Sequence, residues 1–373
     1  MATHKALILH SCDKPLTLST IPRPTAQSGD AIVRILAADI VPYMYQVLNG
    51  TRPYPLSLPM TPGNTAIGRI FEVGPDAVHL TPGQLVFCDI TIRGRDDPTV
   101  SILYGIHGGT EKNPGAKKLM DGVWRNATYA EYTRFPLENL YALNEDLLLS
   151  GKFGYTINDL CLMPVCMVPF GGLSEVDVKP GEIVIVGPAT GRYGGAAVAV
   201  ALAMGAIVVA VGRNLEALEK LEIIHRASGR LRTVRLTGGD AGVNTELLHA
   251  AAGSDADVYI DFSPPASQGS SLLASGIGAL RRFGRCVIMG GVAGNIELPY
   301  LEIMFKSLRI QGRFMYDRGH VQGLIRMVES GLLALGGKGG VYHTEEYGLE
   351  DVDEALQAAG RLMGWGVHVV LKP

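Results

Sequence analysis

Along the first 150 or so residues, apolar positions come in short or alternating runs broken by turn residues. Ala6–Leu9, Ala31–Leu36, Ile67–Val73 and Leu85–Cys88 read as strands, with Ser28-Gly-Asp30 and Thr81-Pro-Gly83 as turns. This pattern predicts a compact, mainly β unit. Beyond it the runs become continuous and alternate with helix-length segments. Ile183–Val186, Ile207–Val211, Val258–Phe262, Cys286–Met289 and Leu308–Ile310 lack polar alternation. Strands of that kind are covered on both faces, so a parallel, doubly wound α/β sheet is expected. The longest apolar tract, Ala196–Val211, is interrupted by Gly205 and falls short of the roughly 20 residues a bilayer span requires. It reads as a buried helix followed by a buried strand.

One segment of this second region carries chemistry. After the strand Ile183–Val186 the chain reads Gly-Pro-Ala-Thr-Gly-Arg-Tyr-Gly-Gly to Gly195, then a helix to about Met204, then the strand Ile207–Val211. That is a complete βαβ unit. Ala189, Gly191 and Gly194 fall at the three marked positions of a GxGxxG-like turn. Gly191 lets backbone approach a pyrophosphate, Gly194 lets the helix pack close, and the helix amino end supplies N–H groups and partial positive charge. Ala189, Thr190, Gly191, Arg192, Tyr193 and Gly194 are therefore candidate dinucleotide contacts.

The second strand ends in Val211-Gly-Arg-Asn214 without the acid that commonly receives the hydroxyls of an NAD ribose. Gly212 offers room, Arg213 a bidentate charged donor for a 2′-phosphate, and Asn214 a neighbouring polar group. NADPH is the expected cofactor; the alternative leaves Arg213 a solvated loop residue. Ser263, Gly290 and Gly291 end later strands at the carboxyl edge of the sheet, where ligands gather in such folds, and are candidate nicotinamide contacts; an ordinary strand-to-helix turn is the other reading.

Composition narrows the partners. The 373 residues are 47% hydrophobic, and 33 basic against 36 acidic side chains leave a net charge of −3. A chain of this size suits about two domains. No excess positive field exists for nucleic acid or an anionic membrane, and the amino-terminal residues lack a secretory pattern, so a cytoplasmic location is expected. Five scattered cysteines without a CxxC pair read as reduced, packed thiols.

Several stretches occur in an order that resembles the medium-chain dehydrogenase/reductase superfamily, and within it the zinc-free quinone oxidoreductase and enoyl reductase branch. They are Ala37–Pro42, Thr61–Gly63 with Gly68, Val73-Gly74, Pro82-Gly83, Val178–Glu182, the Gly191/Gly194 turn, Ala203–Ala206, Ile260–Phe262 and Ile288–Gly291. The resemblance implies an α/β protein with a GroES-like β-barrel catalytic domain (1–157), a Rossmann cofactor domain (158–316) and a carboxyl-terminal return to the first domain (317–373). It places the active site in the cleft between the two domains. It also implies a homodimer built through the strand near Leu308–Phe314.

Zinc enzymes of this superfamily hold a catalytic metal on thiolate and imidazole. Here the cysteine region reads Asp39–Pro42, and Asn64 and Thr65 stand where histidine and glutamate would. Cys166 alone cannot build a site that needs three protein ligands, so no metal is expected. The four-cysteine loop is also missing, and Ile92–Val123 in its place reads as a specificity or interface segment.

Without a Lewis acid, hydrogen-bond donors must polarise the substrate oxygen. Tyr45 is the first candidate proton donor, with Tyr43, Tyr54 and Asn64 as further catalytic candidates in segments the family places around the nicotinamide; a packed aromatic wall is the competing reading of the tyrosines. The expected activity is NADPH-dependent, zinc-independent reduction of an α,β-unsaturated carbonyl or quinone small molecule. The alternatives are a carbonyl reductase or secondary-alcohol dehydrogenase, and an NADPH-binding protein without turnover.

Overall fold

The computed structural model describes residues 2–108, 113–236 and 238–373. The chain divides into two compact units, Met1–Pro164 with Val341–Met363 and Val367–Pro373, and Val165–Gly340 with Gly364–Gly366.

The first unit is GroES-like. Its main sheet runs in the order His343–Gly348, Val367–Lys372, Asp30–Asp39, Ala66–Val73, Leu85–Cys88 and Leu140–Ala142, and Tyr132–Pro136 also pairs with Asp30–Asp39. The pairing is antiparallel around Asp30–Asp39, which is buried along most of its length because neighbours cover it on both sides. Val33, Ile35, Ile70, Val86, Phe135, Val369 and Leu371 fill one continuous core. The final strand thus completes the unit that the first residues begin.

The second unit is a Rossmann sheet. Its strands lie in the order Leu231–Arg235, Ile207–Gly212, Ile183–Gly187, Ala256–Asp261, Leu280–Ile288 and Arg309–Gly312, and every pair is parallel. The order reverses beside Ile183–Gly187, which is where a doubly wound fold opens a ligand crevice. Ile185, Val209, Val211, Leu248, Tyr259 and Cys286 pack one side of the sheet. The tract Ala196–Val211 is helix Arg192–Ala203 followed by strand Ile207–Gly212, both buried. Ile157–Glu175 is the one described stretch long and apolar enough to cross a membrane, and most of it is buried inside the protein.

The boundaries fall elsewhere than the sequence suggests. The first change of unit comes at Pro164, inside helix Met163–Glu175. The return begins at Val341 rather than at 317, because helix Arg318–Ser330 stays with the Rossmann sheet. Its Val321, Leu324, Ile325 and Val328 are buried, and Gly323 abuts the ring of Phe170, where an added Cβ would sit 3.0 Å away. An ion pair of 2.9 Å from Arg313 to Glu175 fixes the approach to that helix. Residues 364–366 rejoin the Rossmann unit, and Trp365 packs directly on Gly195 of helix Arg192–Ala203.

The Ile92–Val123 segment is ordered where it is described. Thr91–Arg93 and Ser101–Leu103 form an antiparallel pair, Pro114–Asp121 is a helix capped by the Asn113 side chain, and Ile92, Ile102 and Met120 enter the core. Gly109 to Lys112 lie outside the described residues.

Candidate functional site

In the Rossmann unit, the turn after Ile183–Gly187 has the geometry its sequence suggests. The N–H of Ala189 donates to the carbonyl of Val211 at 2.6 Å, anchoring the turn to the neighbouring strand. Gly194 presses the helix onto the turn: a Cβ there would lie 2.0 Å from the Pro188 carbonyl oxygen. Gly191 differs, because a Cβ there would meet nothing within 4 Å. It caps the amino end of helix Arg192–Ala203, whose first N–H groups have no side-chain cap. An open glycine before an uncapped helix end is what a pyrophosphate requires.

The neighbouring candidates divide. Tyr193 stacks on Phe262, with centroids 6.4 Å apart and planes 17° apart, so it braces the end of strand Ala256–Asp261. Arg192 is only 8% exposed and turns inward, where its charge acts on Cys166 of the helix Met163–Glu175. Burial nevertheless pushes the Cys166 thiol up to about 12. Thr190 packs on Gly212, since a Cβ at 212 would come within 2.6 Å of the threonine methyl. Gly212 is therefore required by the packing of the turn, beyond any room it leaves for a phosphate.

Arg213 is exposed, and Asn214 is committed locally: its side chain accepts the Ala217 N–H at 3.2 Å and caps helix Leu215–His225. A second arginine stands beside Arg213. Arg235 pairs in register with Gly212 across the strands, and its Nε donates to the Arg213 carbonyl at 3.3 Å. The sequence reading passed over Arg235 because Leu231–Arg235 alternates charge with apolar residues; the need for a third strand before Val258 was the available signal.

Ser263, Gly290 and Gly291 are brought together. The Ser263 hydroxyl donates to Asp261 at 2.6 Å and its N–H to the other carboxylate oxygen at 3.2 Å. A Cβ on Gly290 would lie 2.5 Å from the Ser263 carbonyl, and the Gly291 N–H donates to that carbonyl at 2.8 Å. Burial raises the Asp261 carboxyl above its usual range, with the two Ser263 bonds and the Tyr259 hydroxyl opposing it.

In the GroES-like unit, Tyr43 and Tyr54 meet edge to face at 6.4 Å, and Tyr54 meets His107 at 4.7 Å. Arg52 lies over both tyrosine rings, 4.1 Å and 4.9 Å from their centroids. Tyr45 is not part of this group. It is 56% exposed on the short helix Met44–Leu48, and its phenol makes no hydrogen bond among the described residues.

Asn64 sits in a different, fully buried cluster. Its carbonyl accepts the Thr65 N–H at 2.8 Å and its amide donates to Asp39 at 3.2 Å, leaving at most one amide hydrogen for a ligand. The other oxygen of Asp39 lies 2.8 Å from Nε2 of His368, which belongs to the final strand. Asp39 thus orients Asn64 and ties the return segment to strand Asp30–Asp39. Nothing in the local sequence pairs residues 39 and 368, which are far apart along the chain.

Residues 27–145 match the model of the alcohol dehydrogenase GroES-like domain, and residues 194–330 that of the zinc-binding dehydrogenases. The chain belongs to the medium-chain dehydrogenase/reductase superfamily. Superfamily members similar to it include an alcohol dehydrogenase of Geobacillus stearothermophilus, 26% identical over 88% of this chain and 89% of that one. An acryloyl-coenzyme A reductase of Metallosphaera sedula is 22% identical over 95% of each. A solved crotonyl-CoA carboxylase/reductase in complex with NADP superimposes with a TM-score of 0.76 at 15% identity, over 99% of this chain and 95% of that one. The protein is thus an oxidoreductase of this superfamily.

The zinc in the family's description does not fit the residues present. Val41, Asn64 and Thr65 offer neither thiolate nor imidazole, and among the described residues no group of three His, Cys, Asp or Glu side chains could hold a metal ion. No step is derived through a metal.

Proposed function

We propose that this protein is an NADPH-dependent, zinc-independent reductase of a small α,β-unsaturated carbonyl or quinone compound. The observation that carries the cofactor choice is the carboxyl end of strand Ile207–Gly212. No carboxylate stands there to take ribose hydroxyls, and Arg213 and Arg235 lie side by side. Two guanidinium groups suit a 2′-phosphate and leave NADH no matching gain.

Gly191 and the helix amino end would hold the pyrophosphate, and Ser263, Gly290 and Gly291 would line the nicotinamide end. The cofactor supplies the hydride. The protein's part is to polarise the acceptor oxygen and exclude water, for which Tyr43 and Tyr54 are the phenols gathered into a cluster. Likeness to the acryloyl-coenzyme A reductase supports addition to a conjugated double bond. Likeness to the alcohol dehydrogenase favours the second reading, direct carbonyl reduction.

Fluorescence titrations of wild type, Arg213→Ala and Arg235→Ala with NADPH and NADH test the cofactor choice. Each substitution should weaken NADPH about tenfold or more, the worth of a charge-assisted bond, and leave NADH nearly unchanged. Equal effects on both nucleotides would remove the 2′-phosphate contact. Product analysis with an enone then separates the reactions, a saturated ketone for the first and an allylic alcohol for the second.

A homodimer is part of the same proposal. Strand Arg309–Gly312 ends the sheet order and so presents an edge. Beside it Phe283, Tyr300, Leu301, Met304, Phe305 and Phe314 are exposed. A second copy, paired edge to edge, would cover that apolar surface.

A further inference from the structure

Arg52, like Arg23, stands apart from the ion-paired arginines of its unit by lying over two aromatic rings. Arg69 makes a bidentate pair with Glu145, Arg95 pairs with Glu138, and Arg134 faces Asp30. Among the described residues Arg52 has no carboxylate partner and its side chain makes no hydrogen bond. It is half-buried all the same, with its guanidinium over the rings of Tyr43 and Tyr54.

The backbone holds it there. The Arg52 N–H donates to the Gln46 carbonyl at 2.8 Å, and the Tyr54 N–H donates to the Arg52 carbonyl at 2.7 Å. Thr51 hydrogen-bonds the Asn49 side chain through its hydroxyl and its N–H, at 2.7 and 3.0 Å. Pro53 and Pro55 restrict the segment further. A guanidinium lying on aromatic faces keeps its in-plane N–H donors available, and those donors match an oxyanion bidentately. His107, edge to face with Tyr54, has its pKa lowered by burial and adds no charge at neutral pH. The positive charge of the cluster is therefore that of Arg52.

We propose that Arg52 recognises an oxyanion on the acceptor, so that the substrate is an anionic α,β-unsaturated carbonyl compound rather than an apolar one. The anion is either a carboxylate of the acceptor itself or a phosphate of a thioester carrier. This inference rests on the reductase reading of the preceding section.

Two matched pairs of acceptors test it with NADPH: 4-oxopent-2-enoate against pent-3-en-2-one, and crotonyl-CoA against crotonyl-pantetheine. In wild type, kcat/KM for the charged member of one pair should exceed that of its neutral mate about tenfold or more. Arg52→Gln should bring that ratio near one, and Arg52→Lys should keep part of it. The pair that responds identifies the source of the anion. No charge preference in wild type, or a ratio unchanged in Arg52→Gln, overturns the proposal.

If no acceptor consumes NADPH, the reductase reading fails and Arg52 is judged separately. Calorimetric titration of 4-oxopentanoate and of free CoA into wild type and Arg52→Gln then decides. Tighter binding of either ligand to wild type keeps the anion site, and equal affinities discard it. Matching thermal melts of the two proteins exclude misfolding as the cause.

Discussion

His225 shows how burial alone can make one residue a pH sensor. It ends helix Leu215–His225 with its ring largely covered, and Nε2 finds no hydrogen-bond partner among the described residues. Burial brings its pKa from the ordinary 6.5 to about 4. The unfolded chain therefore takes up a proton near pH 6.5, while the folded protein resists until about pH 4. Stability is fully present above the unfolded value and is lost as pH falls between the two. Urea midpoints should fall on acidification from about pH 7 to pH 5, by about 1 to 2 kcal/mol in stability after allowance for partial exposure. His225→Gln should flatten that fall, and parallel slopes in the two proteins would refute the assignment. At this scale the sequence reveals a residue's type but not its partners. Arg192 reads as a cofactor contact and its side chain is buried; Asn214 reads as a polar neighbour of the cofactor and its side chain caps a helix. Arg52 and the Asp39–His368 pair left no sequence signal, because each depends on side chains that only folding brings together.

At the scale of elements, the two glycines of the nucleotide turn have separable duties. Gly194 is a packing glycine, so Gly194→Ala drives a methyl group into the Pro188 carbonyl and should cost about 1 to 3 kcal/mol. Gly191 faces open space at an ordinary φ of −81°, so Gly191→Ala should leave stability within about 1 kcal/mol while weakening NADPH markedly. Thermal melts alongside cofactor titrations distinguish them, and equal destabilisation by both would contradict the assignment. Continuous apolar strands were legible because burial on both faces imposes one composition. Ile183–Gly187 and Ile207–Gly212 follow the sequence reading within a residue at their carboxyl ends. The edge strand Leu231–Arg235 was not legible: one of its sides is solvated, so charge is tolerated along it. The β-rich first unit was legible as a class, whereas its pairing order depends on contacts between distant segments.

For the whole molecule the question is assembly. Phe305 is 70% exposed and Tyr300 78% exposed on one short helix near the edge strand Arg309–Gly312. Placing a charge there should oppose burial against a second copy without touching the core of one chain. Light scattering at micromolar concentration should give a dimer for wild type and a monomer for Phe305→Glu. A wild-type monomer would exclude this surface as a self-association site.

The contact of Trp365 with Gly195 bears on how such a chain can be recombined. A Cβ at 195 would lie 2.2 Å from the Cβ of the tryptophan, so the small residue and the large one must be inherited together. The Rossmann unit is consequently not a cassette bounded by Val165 and Gly340. Its last wall is encoded eight residues before the carboxyl terminus. A chimaera that exchanged only the central segment with a relative would have to import that relative's counterpart of Gly364–Gly366 as well.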